Sequence, residues 1–183
     1  YVIAMQEVTV GVGSLAISIS PVFISFFSVI FLKHKLSLKV IIALLLGVLG
    51  VFIASVPLFA GATVTAPGLL LLLFSMLAYS IAGVYFSAKD WSDLSLLTIN
   101  GWQTLFGGIF LAPLTLYFYQ PQANNYGNEF LMATSWLAIP VSIFAMLLWL
   151  KLLKLDAVKA GLWLFLCPIF GYVIAALVLK ETI

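Results

Sequence analysis

The sequence predicts an all-α membrane protein: six transmembrane helices that form part of a ten-helix bundle built as two inverted five-helix repeats. Three observations lead there: the scarcity of charge, the spacing of the uncharged runs, and one stretch that the chain writes twice. Of the 183 residues 64% are hydrophobic and 8% charged, and the mean hydropathy is +1.25. A soluble domain carries about 25% charged residues, so this surface cannot face water.

The runs free of charge span residues 8–32, 40–88, 94–128, 130–150 and 160–179. Crossing a hydrocarbon core of ~30 Å takes about 20 apolar residues in a helix. Run 40–88 is therefore long enough for two helices, with "VPLFAGATVTAPG" (56–68) as the Pro- and Gly-rich turn between them. Six spans result, at about 9–32, 38–58, 68–87, 95–118, 131–152 and 157–179. Barrel strands would show ~10-residue segments of alternating polarity, and the sequence has no such alternation.

Lysines set the orientation. Lys33, Lys35 and Lys39 follow span one, Lys89 follows span three, and Lys151, Lys154 and Lys159 surround the turn after span five. Alternation places these turns on one side, which the positive-inside rule makes cytoplasmic. Loop 119–130, "YQPQANNYGNEF", has no lysine and faces outward, as do residues 59–66. The net charge is +2 and the chain has no arginine, so no basic face offers itself to nucleic acid. With one cysteine, Cys167, neither an internal disulfide nor a multi-cysteine metal site can form.

The doubled stretch is "SPVFISFFSVIFLKHKL" (20–36) and "CPIFGYVIAALVLKETI" (167–183). Each reads Pro, a β-branched residue, Phe, eight residues, Leu-Lys, two residues, and Leu or Ile. The copies fall in spans one and six. Five helices separate equivalent positions, so the second copy crosses the membrane in the opposite sense. That is the signature of an inverted-topology repeat, an arrangement many secondary transporters use. A five-helix unit implies ten helices in all. A chain beginning at Tyr1 with the end of a helix is then expected to be part of a longer protein, holding the last two helices of one repeat and the first four of the next.

"SISPVFISFFSVIFLKHKLSLKVIIALLLGVLGVFIAS" resembles the close of the first EamA-type repeat of the drug/metabolite transporter superfamily. "PGLLLLLFSMLAYSIAGVYFSAKD" is similar to the opening of the second, and "LTINGWQTLFGGIFLAPLTL", with Thr98, Gln103, Gly107 and Pro113, to the helix that follows. "LDAVKAGLWLFLCPIFGYVIAALVLKETI" is similar to the penultimate helix and its trailing Leu-x-x-Glu motif. The resemblance divides the chain into 1–58, the end of the first repeat, and 68–183, the second repeat without its last helix. It departs at His34, where the family usually has Glu. What it implies is a multi-pass carrier of the cytoplasmic (inner) membrane that exports small metabolites, amino acids or drug-like compounds by alternating access. It also implies no catalytic reaction and no cofactor. The partners would be the lipid bilayer, a small-molecule substrate and, as a homodimer, a second copy.

Several residues suit such a role. Pro21 and Pro168 each remove the amide that would bond Ile17 or Leu164 and kink a helix mid-span. Gly11, Ser14, Ser18, Pro21, Ser25 and Ser28 recur at three- and four-residue steps, a stripe that serves equally for close helix packing or for lining a cavity. Asn100 and Gln103 share a face of span four and need partners within the membrane. With Trp102 they are expected to approach Ser18 and Ser25 across a central cavity, and Tyr79 and Trp163 are further wall candidates. Tyr117, Tyr119, Tyr126, Trp136 and Trp91 read as interfacial belt residues. Asp156 reads as the N-cap of span six, His34 as a solvated loop residue, and Glu181 as an outer-face contact. No uncharged run contains a carboxylate, lysine or histidine, so a proton-carrying group would be Glu7 or lie in helices beyond this chain. A substrate met by amides, hydroxyls and aromatic faces should be neutral, zwitterionic or amphiphilic. Two other classes are the rivals to transport. An intramembrane enzyme lacks its Ser/His, Asp/Asp or metal set in these spans, and a structural or assembly subunit is compatible with composition alone.

Overall fold

The computed structural model describes residues 1, 3–56, 65–91, 93–120 and 126–177. A 3₁₀ turn at Ala4–Gln6 leads into α1 (Val10–Ile17), α2 (Ser20–Leu32), α3 (Leu38–Ser55), α4 (Ala66–Ala88) and α5 (Leu96–Tyr117). Next come α6 (Asn128–Trp136), a π-helical segment Leu137–Ala145, α7 (Met146–Leu155), α8 (Ala157–Leu162), a second 3₁₀ segment Trp163–Leu166, and α9 (Cys167–Leu177). Among the described residues four helical stretches are long and apolar enough to cross a membrane: Val12–Leu32, Leu38–Ser55, Ala66–Ala88 and Asn128–Leu155. Helix α5 has the length but not the composition, because Asn100, Gln103 and three threonines dilute its apolar residues. The sixth expected span is apolar over the shorter Ala157–Gly171. The turn expected within 56–68 falls largely outside the described residues, as do Lys180 and Glu181.

Polar caps start the helices where the apolar runs begin. Ser37 accepts the Val40 amide at 3.4 Å, Thr65 that of Gly68 at 3.1 Å, Ser95 that of Thr98 at 3.0 Å and Asp156 that of Lys159 at 3.0 Å. Each satisfies one of the four N-terminal amides a helix leaves without a partner. Only Asp156 is anticipated from sequence. At its far end α2 stops on Lys33 in the left-handed conformation (φ 52°, ψ 30°), where the Lys33 and His34 amides both donate to the Ser28 carbonyl. Glycine is the usual residue there.

The chain forms two compact units, Tyr1–Lys89 with Leu153–Ile183, and Asp90–Leu152. In the first, α2 packs on α4. The buried side of α4 is Gly68, Leu72, Met76, Ser80 and Val84, one residue every four, which is one helix face. A Cβ on Gly68 would meet the Glu7 Cβ at 2.7 Å, and the Ser20 hydroxyl lies against the Met76 sulfur at 3.3 Å. Contacts that advance together along both chains mean that spans one and three run in the same direction. Ala4, Val8, Val12, Ala16 and Leu72 form the apolar core beneath them.

Span six runs the other way. A Cβ on Gly171 would lie 2.7 Å from the Ser14 Cβ, and one on Gly161 would lie 3.3 Å from the Ile24 side chain. Ten residues forward along span one correspond to ten backward along span six, so the two helices cross antiparallel. Leu153 lies 3.7 Å from the Cβ position of Gly83, and the His34 charge reaches Asp156. The lysine-bearing ends of spans one, three and six within this unit thus lie at the same end.

The prolines do more than kink these two helices. Span one breaks at Ser18 and Ile19, whose amides donate three residues back to Leu15 (3.0 Å) and Ala16 (3.1 Å), and the helix restarts at Ser20. Span six tightens into 3₁₀ over Trp163–Leu166 and restarts at Cys167. Each restart is one residue before its proline, where the missing N–H costs nothing.

Candidate functional site

The sequence candidates divide between the two units. Ser18, Ser25, Tyr79, Trp163, Pro21 and Pro168 belong to the first, and Asn100, Trp102 and Gln103 to the second.

In the first unit the small stripe of span one is buried: Ser14 is 8% exposed, Ser18 1%, Ser25 3% and Ser28 0%. The Ser18 hydroxyl donates to the Ser14 carbonyl at 3.4 Å, on the side of the helix where Gly171 comes close. This part of the stripe serves close packing, and the broken backbone at Ser18 supplies the room. Ser25 and Ser28 lie further along the same stripe, on α2. Tyr79 is partly exposed on α4, and Trp163 is 65% exposed at the start of the 3₁₀ segment. The structure therefore groups the serines and places both aromatic residues toward the surroundings.

In the second unit Asn100 is 5% exposed, and its amide nitrogen donates to the Ser142 carbonyl at 2.7 Å. Ser142 lies in the π-helical segment, which contains Pro140. A proline ring in an α-helix clashes with the carbonyl four residues back; widening to the π register carries the chain past the ring. Asn100 thus has a bond to a neighbouring helical segment, as an amide in hydrocarbon would require. Gln103, one turn further along α5, is exposed. Trp102 is 53% exposed and stacks on Phe106 of its own helix, ring centroids 5.4 Å apart. Of the two amides, Asn100 is bonded within this unit and Gln103 is exposed.

Charged groups lie at the helix ends. Glu7 accepts the Thr65 hydroxyl at 3.0 Å and its carbonyl accepts the Thr65 amide at 3.4 Å, so the carboxylate sits at the positive end of α4. That is a docking role for a residue considered as a proton carrier. Asp156 pairs with Lys159 at 3.1 Å. Burial alone would raise its carboxyl, but the Lys159 amide, the Lys159 ammonium and the His34 charge outweigh it and hold the group below the usual range. Among the described residues no group of three His, Cys, Asp or Glu side chains is placed to hold a metal ion. Tyr119 and Tyr126 share a hydroxyl–hydroxyl bond at 3.1 Å, and Tyr117, Tyr126 and Trp136 are exposed, as belt residues would be.

Sequence reasoning missed the π segment and the caps at Ser37, Thr65 and Ser95. The caps had a readable signal, a hydroxyl residue directly before each apolar run. Pro140 was the signal for the π segment, though proline alone does not say how a helix absorbs it.

The sequence profile of the EamA-like transporter family matches residues 1–56 and 66–183. The chain belongs to the EamA-like transporter family. It is a membrane protein, and its apolar helices make it multi-pass. It is also similar to an "Uncharacterized transporter in trpA 3'region" of Buchnera aphidicola subsp. Schlechtendalia chinensis, 28% identical over 176 residues. That match covers 94% of this chain and 57% of the relative, so the chain spans little more than half its length. No solved structure matches this chain.

Proposed function

We propose that this chain is the central part of a ten-helix secondary transporter that moves small metabolites, amino acids or drug-like compounds across the cytoplasmic membrane by alternating access. The observation that carries the reading is the crossing of spans one and six. Pro21 and Pro168 set the repeat register at 147 positions. Under that shift Ser14 becomes Gly161 and Ile24 becomes Gly171, so the Ser14–Gly171 contact becomes the Ile24–Gly161 contact and the reverse. An interface that maps onto itself is isologous, as a two-fold axis requires. The helix restarts at Ser20 and Cys167 obey the same shift. Two inverted halves that share such a crossing can exchange conformations, which opens a midplane site to either side in turn.

The two segments matched by the family profile, 1–56 and 66–183, support dividing the chain between two repeats near residues 57–65. The lysine-bearing ends gathered in the first unit support a cytoplasmic assignment for that end. Gln103 is the amide assigned to the solute, Ser18 and Asn100 hold the framework, and the carrier works without cofactor or covalent chemistry. The test is flux of labelled neutral and zwitterionic amino acids into vesicles containing the full-length protein. Gln103→Leu should reach the membrane in normal amount and raise KM. A protein that inserts correctly yet moves none of a broad solute panel is a structural subunit, and the transporter reading then fails.

A further inference from the structure

Several hydroxyls inside the helices of this chain satisfy themselves. Ser18, Ser75, Ser80 and Thr115 donate to the carbonyl four residues earlier and Ser55 to the one three earlier, at 2.7–3.4 Å. Ser25 and Ser28 do not. They are 3% and 0% exposed, and neither hydroxyl has a hydrogen-bond partner among the described residues. Turning back to the Pro21 or Ile24 carbonyl would satisfy each within its own helix, and neither takes that route. A buried hydroxyl without a partner is destabilising, so two of them three residues apart on one face of α2 call for a reason.

Their surroundings suggest one. The Ile24–Gly161 contact and the antiparallel crossing bring Ser25 level with Ala160 and Ser28 level with Ala157, each alanine 3% exposed. The seam between α2 and α8 therefore sets Ile24 against Gly161 and brings the two serines level with two alanines. At its lysine-bearing end Asp156 is paired with Lys159, and the Lys33 and His34 amides bond the Ser28 carbonyl. Helix α8 is six residues long, with the 3₁₀ segment directly behind it. A short helix ahead of a tightened segment is well placed to part from α2 as a unit.

We propose that Ser25 and Ser28 form a hydrogen-bonding subsite for the neutral polar part of a transported solute, such as an alcohol or carboxamide, covered by α8 in this conformation and uncovered when α8 parts from α2. The subsite rests on the transporter reading above. An ionic group would find no counter-charge in the seam, which confines this end of the solute to uncharged donors and acceptors. The two bare hydroxyls are then groups held ready for a partner that arrives with the solute, at a cost in resting stability.

The experiment uses the full-length protein in vesicles, labelled glutamine and serine as probes, and two independent readouts. Ser25→Ala and Ser28→Ala should raise KM for the transported probe roughly five- to tenfold, the loss of one hydrogen bond. Their thermal midpoints should be unchanged or higher, whereas Ser80→Ala, which removes a satisfied hydroxyl, should lower the midpoint. Unchanged KM in both variants overturns the subsite. The second readout needs no flux: in a Cys167→Ser background, Ser28→Cys should react with N-ethylmaleimide in native membranes. A cysteine that reacts only after denaturation means the seam never opens, which also overturns the proposal. A wild-type protein that moves neither probe, nor any of the broader panel, while Ser28→Cys reacts would refute transport and leave the opening seam standing.

Discussion

Spans one and six share a framework and differ in chemistry. Both break at the same repeat position and restart one residue before a proline, at Ser20 and Cys167. At their close approach both glycines belong to span six, and span one sets Ser14 against Gly171 and Ile24 against Gly161. Along the stripe they diverge: the positions equivalent to Ser14, Ser18, Ser25 and Ser28 are Gly161, Phe165, Tyr172 and Ala175. What the copies share is a proline break lying between two points of close approach, and the glycines at those points are on span six. What they do not share is the row of hydroxyls. Under the inverted-repeat reading proposed above, the backbone of both halves is constrained and only one half need carry the polar groups.

The strongest way to break the comparison is to crowd the crossing. Gly171→Val places new atoms where even a Cβ stands 2.7 Å from Ser14, and overpacking of this kind costs about 2–3 kcal/mol. Ser14→Gly in the same molecule should recover at least half of the loss. Thermal unfolding in detergent of the single and double variants measures the coupling, and additive losses would mean that the two helices do not meet there. Next in size is Asn100→Leu in the other unit. It strands the Ser142 carbonyl beside the π segment and should cost about 1–3 kcal/mol, while Gln103→Leu leaves the midpoint unchanged. Equal losses would erase the distinction between the bonded amide and the exposed one.

A smaller effect sharpens the restart of span six. Asp156→Ala removes an N-cap and should cost about 1 kcal/mol at neutral pH. Because the folded carboxyl titrates below its ordinary value, its contribution is complete above the unfolded value of about 3.9. It then fades as pH falls through the folded value, so wild type and variant should converge in acid. A difference that persists there would exclude the charge as its source. The smallest change is Lys33→Gly. It relieves the left-handed backbone at the end of α2 and should raise stability by up to about 1 kcal/mol; a loss would show that the lysine side chain contributes more than the strain.

The antiparallel crossing was legible because spacing and charge are one-dimensional signals. The lysine turns gave each span its direction, and the prolines gave the register. Asp156 was legible for the same reason, as a cap is local. The division of labour at the site was not. Asn100 and Gln103 look alike in sequence, and only the distance to the Ser142 carbonyl separates the anchored amide from the exposed one. The serine stripe likewise reads as uniform, although Ser18 is bonded to its own helix and Ser25 and Ser28 are not. Both distinctions depend on what stands opposite each side chain, which spacing along one chain does not encode.

The most direct measurement joins the crossing to flux. In the full-length protein with Cys167→Ser, Ile24→Cys and Gly161→Cys would place two Cβ atoms 3.5 Å apart, within the range a disulfide accepts. Oxidation should link spans one and six in high yield and stop transport, and reduction should restore it. Failure to form the bond would contradict the antiparallel crossing, and full cross-linking with undiminished flux would contradict alternating access through it.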